Sequence, residues 1–472
     1  MRPSSSTSDG VGSALFGLFG APDIDAELTD EAVLRAMLDV EAALVEAAAD
    51  AGVVPRPAAD AIARQCHLDR FDLADLASAA ESAGNPVVPL VRALTRAVAE
   101  DAKPWVHHGA TSQDILDSAL VLVAVRASDP MLRHVDAATD ACAGLARRYR
   151  DAVMVARTLG QQASPTTFGL KAANWLLGLL DARRRLVVAR RALPVQLGGA
   201  VGTLAVYGAA GPDVADRLAT RLGLAGSDVP WHTRRQPLLD LSAALAGLLA
   251  AAGKVALDVE LLAQNEVGEV AEGGEGRGGS SAMPHKRNPV DSVLVAAAAR
   301  RGPGLLATMY AAATQEHERA AGAWHAEWEP LLDLLRLAGG AAGHTRRLLD
   351  GLEVRADRMR ANLDATGGLV MAESVANRLA PALGRGGAHD VVARAARQPD
   401  FRAALLADPA VREHLSERDV DAALDPREWL GCAGTFVDRA LRTYRAARAD
   451  RPPAARPDRA VPASGVSARG VS

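Results

Sequence analysis

The stretch QPLLDLSAALAGLLAAAGKVALDVELLAQNE, residues 236–266, carries the clearest structural signal in this chain. It contains no proline after Pro237, and its large apolar side chains return to one face at helical spacing. The residues of this face are Leu238, Leu241, Leu245, Leu248, Leu249, Val255, Val259 and Leu262. At roughly 1.5 Å per residue, the pattern predicts a helix about 45 Å long.

Three more segments show the same pattern, and they are rich in alanine and leucine, which favour helix. They are residues 113–127, 169–192 and 289–315, the last with a kink expected near Gly302-Pro303. Long alanine-rich helices have thin side chains and bury apolar stripes on more than one side. The sequence therefore predicts an all-α fold whose central long-helix bundle forms the core of a homo-oligomer.

The helical pattern divides the chain into three predicted domains. They are an N-terminal helical domain (13–111), a central long-helix bundle (112–352) and a C-terminal helical domain (353–447). Residues 1–12 and 448–472 are predicted to be disordered, because they have too little hydrophobic content to fold.

The overall composition excludes several classes of protein. The formal net charge of the 472 residues is −4, so we expect no nucleic-acid partner. An uninterrupted apolar run of about 18 residues is missing, and the N-terminus does not look like a signal peptide, so we expect no membrane span. Three widely spaced cysteines without metal or redox spacing are typical of idle thiols, and we expect a cytoplasmic protein.

The most unusual stretch follows the long helix and reads GGEGRGGSSAMPHKRNP, residues 273–289. Five of its first seven residues are glycine, which permits a mobile loop, and Ser280 and Ser281 come directly after them. Lys286 and Arg287 then precede a predicted helix, whose N-terminus attracts anions. The stretch predicts an anion site with a reactive serine, although its composition alone fits a solvated linker with a helix cap at least as well.

Two other polar stretches precede predicted helices, HHGATSQD (107–114) and RTLGQQASPTT (157–167). In the first, Thr111 and Ser112 are suited to cap a helix or to bind a carboxylate. His107 is suited to donate or carry a proton near neutral pH. The second stretch places one arginine and several neutral donors in eleven residues. Taken alone, each stretch is explained at least as well by an ordinary polar loop with a helix cap.

No metal site and no cofactor are predicted. His317 and His325 lie eight residues apart, whereas helical zinc motifs place two histidines three or four residues apart. The cysteines offer no alternative set of ligands, because they are far apart in the sequence.

Taken together, these stretches resemble the fumarase/aspartase superfamily, whose members include argininosuccinate and adenylosuccinate lyases. The superfamily signature is a GSSxMPxKxN loop, and residues 279–288, GSSAMPHKRN, fit it throughout. The stretches 107–114 and 157–167 resemble the two other superfamily regions and occur in the right order. The resemblance extends over roughly residues 25–447.

Within the superfamily the chain looks most similar to the bacterial 3-carboxy-cis,cis-muconate cycloisomerases. That family converts a tricarboxylic muconate into a lactone during protocatechuate breakdown, in the beta-ketoadipate pathway. Further stretches that carry the resemblance are SAGNPVVPLV (82–91), PWHTRR (230–235), NEVGEVAE (265–272), QEHERAAGAWHAEWEPL (315–331) and LGCAGTFVDRAL (430–441). The resemblance implies a helical homotetramer, a small polycarboxylate substrate and active sites that combine three regions from different subunits.

The resemblance also implies roles for individual residues. Ser280 transfers the proton at the carbon alpha to a carboxylate, and Lys286 and Asn288 stabilise the aci-carboxylate that forms when this proton is absent. His107 completes the predicted catalytic set. The predicted substrate-binding residues are Asn85, Thr111, Ser112, Arg157, Thr158, Gln162, Arg235, Ser281, Met283 and Arg319.

Leu159 favours some of the reactions that the resemblance implies over others. It stands where adenylosuccinate and argininosuccinate lyases carry a histidine that handles a nitrogen leaving group. The leaving group of a lactone is a carboxylate with a pKa of about 4, which needs no proton. Cycloisomerisation is therefore the preferred function. The alternatives are a lyase that eliminates nitrite from nitrosuccinate or an amine from a substituted succinate, and a catalytically silent helical scaffold, which the presence of Ser280 disfavours.

Overall fold

The computed structural model describes residues 14–273, 278–279, 283 and 286–451. Most of these residues are helical, which confirms the predicted all-α fold. The α-helices are α1 (Pro22–Asp25), α2 (Asp30–Asp50), α3 (Arg56–Ala63), α4 (Leu73–Ala83), α5 (Val87–Ala97), α6 (Ser112–Arg148), α7 (Phe168–Arg191), α8 (Gly211–Leu222), α9 (Gln236–Leu262), α10 (Val290–Ala312), α11 (Trp328–Asp350), α12 (Ala356–Asp364), α13 (Ala372–Ala395), α14 (Phe401–Ala407), α15 (Pro409–His414), α16 (Glu417–Leu424) and α17 (Ala433–Ala449).

Five long helices form the central bundle, namely α6, α7, α9, α10 and α11. The helix predicted from the opening stretch is α9, which packs against α7, α10 and α11. Its side chains Leu241, Leu245 and Leu248 are completely buried. By length and apolar composition α9 would also suffice to cross a membrane, but 56% of its most apolar window is buried by other helices, as in the core of a bundle.

The segment ahead of α2 lies directly on the central bundle. Glycines in α11 allow this approach, since a Cβ atom on Gly340 would lie only 1.7 Å from the carbonyl oxygen of Phe19. Asp25 ends α1, and its Oδ1 is buried without a hydrogen-bond partner among the described residues. Burial raises the pKa of Asp25 to about 6, although the nearby charge of Arg336 opposes this.

The C-terminal part contains a second, smaller core. Helices α13 to α16 pack around apolar side chains that include Val375, Leu379 and Phe401. Helix α17 returns to the central bundle and packs against α7 and α6. It continues to Ala449, and Arg451 forms ion pairs with two aspartates of α6, so ordered structure extends past the boundary predicted at residue 447.

Two short antiparallel sheets complete the fold of the described residues. Strands β1 (Val153–Thr158) and β2 (Gln161–Thr167) form a hairpin, which stands where a polar loop was expected. Its turn residues Leu159 and Gly160 have φ values of 52° and 77°, as in a two-residue turn with both central residues left-handed. Strands β3 (Val270–Ala271) and β4 (Glu353–Val354) form the other sheet.

The other predicted helices occur with different ends. The segment 113–127 belongs to α6, which continues through Pro130 to Arg148. The segments 169–192 and 289–315 correspond to α7 and α10, and Pro303 lies inside α10. The predicted disordered residues 1–12 and nearly all of 448–472 lie outside the described residues.

Candidate active site

The N-terminus of α6 gathers one group of predicted site residues. Thr111 is the N-cap, and its backbone N–H donates to Oδ2 of Asp114 over 2.9 Å. Asp114 also accepts the backbone N–H groups of Gly198 and Gly199, each over 2.9 Å, and lies 2.7 Å from Nε2 of His232. Since Asp114 is completely buried, these bonds fix the glycine segment beside the end of the helix.

His107 lies just before this helix end. Its backbone is left-handed, with φ of 56°, and its Nδ1 lies 2.6 Å from Oε1 of Glu41 on α2. The side chain of Glu41 is only 1% exposed. Burial by itself would lower the pKa of His107, but the charge and hydrogen bond of Glu41 and the charge of Asp114 outweigh it, so the pKa lies above its ordinary value. Glu41 therefore favours the cationic form of the imidazole.

Arg319 lies against the same helix end and has neutral partners. Its Nη1 donates to Oγ1 of Thr111 over 3.3 Å, and its Nη2 donates to the carbonyl oxygen of Ala200 over 2.9 Å. Within the described part of the chain, no carboxylate lies at ion-pair distance from Arg319, and the Ser112 hydroxyl forms no hydrogen bond. A guanidinium, a hydroxyl and a helix N-terminus therefore converge where a carboxylate could bind.

The buried position of Arg235 contradicts the prediction that it binds substrate. It is 1% exposed, and Asp117 accepts two of its N–H groups over 2.7 and 3.0 Å, while Glu327 accepts on its other edge over 2.7 Å. Burial would raise the pKa of Asp117, but the Arg235 charge outweighs it and keeps the pKa below its ordinary range. Burial raises the pKa of Glu327. Arg235 therefore neutralises two carboxylates of its own chain, and no edge remains for substrate.

Asn85 uses its amide in the turn before α5. Its Oδ1 accepts the backbone N–H groups of Val87 and Val88 over 3.1 and 3.3 Å, and so caps the helix. Nε2 of His325 donates to the carbonyl oxygen of Gly84 over 2.9 Å, since a carbonyl oxygen can only accept. The bond ties the Asn85 turn to the segment before α11, on the side of the molecule that holds the first group.

A second group of predicted residues lies on the β1–β2 hairpin. Arg157 donates twice to Glu269, over 2.8 and 3.0 Å, and Glu269 is completely buried. Asn362 of α12 donates to the same carboxylate over 2.8 Å. Arg157 thus anchors the hairpin to the segment that leads into the serine loop. Thr158 and Gln162 sit at the exposed end of the hairpin.

The serine loop begins beside this hairpin and ends at α10. Glu272 accepts the backbone N–H groups of Asp291 and Ser292, over 3.0 and 2.8 Å, and so caps α10 from outside the helix. The backbone N–H of Asn288 donates to the carbonyl oxygen of Gly278 over 2.8 Å, which closes the base of the loop.

Of the loop residues predicted to act on substrate, three are described. Lys286 and Met283 are exposed, and Asn288 is half-buried. Ser280 and Ser281 lie outside the described residues. Among the described residues, no group of three or more His, Cys, Asp or Glu side chains is placed to hold a metal ion.

The group at the N-terminus of α6 and the group on the β1–β2 hairpin lie at opposite ends of the bundle. Thr111 begins α6, and the hairpin follows its other end, where the backbone N–H of Phe168 donates to the carbonyl oxygen of Ala152. Helix α6 has 37 residues, which corresponds to roughly 55 Å at about 1.5 Å per residue. A single chain therefore does not bring His107 and Arg319 together with Arg157 and the serine loop.

Sequence analysis did not identify the buried carboxylates that organise these groups. They are Glu41, Asp114, Asp117, Glu269 and Glu327. The only available signal was that Asp114 and Asp117 fall within the HHGATSQDILD stretch, three residues apart on one helical face. Their partners, such as His232 and Arg235, lie more than a hundred residues away in sequence.

Family comparisons match most of the chain. Residues 19–304 match the lyase family, and residues 368–440 match the family described as the adenylosuccinate lyase C-terminus. The first match covers α1 to α9 and the first part of α10, and the second covers α13 to α16 and the start of α17.

Named relatives that match most of the chain include a lyase and several cycloisomerases. A nitrosuccinate lyase from Streptomyces davaonensis is 47% identical over 460 residues, which are 94% of each chain. A 3-carboxy-cis,cis-muconate cycloisomerase from Pseudomonas aeruginosa is 45% identical over 438 residues, covering 91% of this chain and 95% of the relative. A cycloisomerase of the same name from Bradyrhizobium diazoefficiens is 44% identical, covering 88% and 94%.

Solved structures show the same fold. The crystal structure of the 3-carboxy-cis,cis-muconate lactonizing enzyme from Pseudomonas putida superposes with a TM-score of 0.86 at 40% identity, covering 92% of this chain and all of the other. The crystal structure of a fumarate lyase from Mesorhizobium gives a TM-score of 0.81 at 34% identity, covering 90% and 98%.

Proposed function

The chain belongs to the lyase family of the fumarase/aspartase superfamily, and on that premise we propose that it is a 3-carboxy-cis,cis-muconate cycloisomerase. The observation that carries this proposal is the anion site at the N-terminus of α6. There His107 and Arg319 supply two positive charges, and Thr111 and Ser112 supply hydroxyl groups. A substrate with three carboxylates suits such a site, because charged hydrogen bonds are the strong ones.

In the lactonising direction, a carboxylate oxygen of the substrate attacks the carbon–carbon double bond. A carbon–oxygen bond forms, and the electron pair of the double bond moves toward the neighbouring carboxylate, which gives an aci-carboxylate. Ser280 delivers a proton to the carbon alpha to that carboxylate. Lys286 and Asn288 stabilise the extra negative charge, which is commonly the largest catalytic contribution. The reverse sequence opens the lactone.

Each active site draws on more than one copy of the chain. The length of α6 separates the anion site from the serine loop within one chain, so the proposed reaction requires the serine loop of another copy. Exposed apolar side chains on three helices of the bundle favour such an assembly, for example Val188 on α7, Leu257 on α9 and Tyr310 on α10. We take the assembly to be a cytoplasmic homotetramer with shared active sites.

Leu159 supports a reaction whose leaving group needs no proton. It occupies the turn of the β1–β2 hairpin and is fully exposed, so this position offers no acid to a neighbouring site. A carboxylate leaves without protonation, whereas an amine does not. The same reasoning favours one second candidate, nitrite elimination from nitrosuccinate, because nitrite also leaves as an anion and a nitrosuccinate lyase is 47% identical to this chain.

The test is turnover of 3-carboxy-cis,cis-muconate by the pure protein, followed as the loss of its ultraviolet absorbance, beside the same assay with nitrosuccinate. We expect turnover of the muconate and a loss of several orders of magnitude in rate on Ser280→Ala. Turnover of nitrosuccinate alone would replace the first candidate with the second. Full activity of the Ser280→Ala variant would contradict the mechanism for both.

A further inference from the structure

Glu41 is the one charged side chain among the buried residues of α2. Its neighbours on the buried face are apolar, including Leu38, Val40 and Leu44. An isolated carboxylate in such surroundings is unfavourable unless a cation or several donors compensate it. The only hydrogen bond of Glu41 within the described residues joins it to Nδ1 of His107. The contact with His107 is therefore what compensates the unfavourable burial of the Glu41 carboxylate.

The other ring nitrogen of His107 is left for a different partner. Nε2 forms no hydrogen bond with any described residue, and it does not count among the buried unpaired polar atoms. The backbone of His107 is held in the left-handed region, which a histidine adopts only under constraint from its surroundings. Its carbonyl oxygen accepts the backbone N–H of Ala110, in the turn that leads to Thr111.

We propose that Glu41 is a positioning residue that, by accepting the hydrogen bond of Nδ1–H, keeps the His107 imidazole a cation and directs its Nε2–H toward a substrate carboxylate. This proposal rests on the proposed function, since it assigns the second nitrogen to the same anion site. Glu41 itself does not touch substrate. Its effect passes through the orientation and charge of the imidazole.

Three other titratable groups near the pair are compatible with a cationic imidazole. Asp114 faces it from α6, and its charge favours the protonated form. Tyr207 lies before α8 and Cys66 follows α3, and burial raises the pKa of both groups, so they are neutral near pH 7. Neither therefore competes with His107 for the charge of Glu41.

The first measurement needs no substrate. Hydrogen–deuterium exchange at the imidazole C2 position, followed by mass spectrometry between pH 5 and 9, reports the protonation of His107, with fragmentation separating it from His108. We expect His107 to remain protonated above pH 7 in the wild-type protein, and its pKa to fall by at least about one unit in Glu41→Gln. A His107 that is neutral at pH 7 in the wild type would overturn the proposal whether or not any variant folds.

The second measurement is the pH profile of kcat/KM, with whichever of the two candidate substrates the wild type turns over. We expect Glu41→Gln to lower kcat/KM by roughly 10- to 100-fold at pH 8 and by a clearly smaller factor at pH 6, where a larger fraction of the His107 imidazole stays protonated in the variant. Glu41→Asp should restore part of the loss. Glu46→Gln is the control, because Glu46 lies on the same helix and pairs with Arg221 at the surface.

The outcomes separate this proposal from the proposed function. If neither substrate is turned over, the proposed function fails, while the exchange measurement still decides whether Glu41 controls the charge of His107. If Glu41→Gln loses activity equally at all pH values, with an unchanged His107 pKa, Glu41 has only a packing role and the proposal is wrong.

Discussion

Three arginines fit the pattern of a carboxylate-binding site, and their partners distinguish them. Arg235 and Arg157 are each held by buried carboxylates of the same chain. Among the described residues, Arg319 donates only to a hydroxyl and to carbonyl oxygens. A guanidinium that already neutralises a buried carboxylate cannot leave it without exposing an unpaired charge to the interior. Arg319 is therefore the arginine of this set that is available to substrate.

Arg319→Ala is expected to raise KM by roughly 10- to 150-fold, because a hydrogen bond to a charged group is worth about 1.5–3 kcal/mol. The thermal unfolding midpoint should stay close to that of the wild type, since Arg319 is only half-buried and pairs with no carboxylate. Steady-state kinetics and differential scanning calorimetry measure the two effects. Arg217→Ala, on the surface of α8, is the control. An unchanged KM would remove Arg319 from the site.

Arg235→Met is expected to behave in the opposite way. It leaves Asp117 and Glu327 buried without their cation, which costs about 3–5 kcal/mol of unfolding free energy. The predicted result is a much lower unfolding midpoint in calorimetry, with the same Arg217→Ala control. A variant of normal stability whose KM alone is raised would return Arg235 to the set of substrate ligands.

At the scale of single residues, the sequence predicts which residues take part in the reaction better than it predicts which side chains contact each other. The serine-loop stretch, Thr111 and Arg319 could be selected from motifs, because those residues occur in a specific order. Glu41 and Glu269 could not, because a single glutamate in a helical or loop pattern looks the same whether it faces water or the core. Only the approach of His107, 66 residues away, shows what Glu41 does.

Among the secondary-structure elements, the β1–β2 hairpin holds an unusual turn. Its first turn residue is Leu159, although a two-residue turn with positive φ favours asparagine, aspartate or glycine. The residues at this turn therefore do not predict a hairpin, and a polar loop is the expectation from the sequence. Helix α6 shows the converse, because packing against α7 and α11 continues it through Pro130, where the sequence pattern stops.

Leu159→Gly tests the role of this turn. The left-handed conformation costs a leucine about 1–2 kcal/mol, so glycine relieves strain in the hairpin. We expect no loss of folding in circular dichroism, together with a lower kcat/KM, because under the proposed function the exposed side chain contributes to the site of another copy. Val206→Ala, at another exposed apolar residue, is the control. Unaltered kinetics would show that the hairpin end has no part in the reaction.

The segment ahead of α2 should dock in a pH-dependent manner. Burial raises the pKa of Asp25 from 3.8 to about 6, so the folded protein holds a proton there that the unfolded chain has lost. This group therefore costs stability as pH rises from about 4 to 6, and the cost is complete above that range. Asp25→Asn should raise the unfolding midpoint more at pH 8 than at pH 4, as measured by calorimetry. An equal shift at both pH values would contradict this.

For the whole molecule, the important dimension is the length of the bundle. The anion site and the serine loop lie at opposite ends of α6, so the proposed reaction requires two ends that belong to different chains. The sequence alone predicted the long helices and the need for partners, because alanine-rich stripes must be buried. It did not show which motif lies at which end, since that depends on how α9 and α10 return along the bundle.

Mixing two impaired variants tests this arrangement. Co-expression of Ser280→Ala with Arg319→Ala should restore activity, because about one site in four then combines an unaltered end from each variant. Each variant expressed alone is the control, and kcat/KM per active site is the measurement. A mixture as inactive as its components would place both ends of each site in one chain.

The exposed turn at Leu159 also has a consequence for how such enzymes diversify. A substitution there disturbs no core of its own chain, because the side chain makes no buried contact within it. Yet, if the turn enters a neighbouring site, one codon alters every catalytic centre of the assembly at once. Substitutions at this position can therefore change which leaving group the enzyme accepts with little effect on folding, while the buried carboxylates that hold the scaffold stay unchanged.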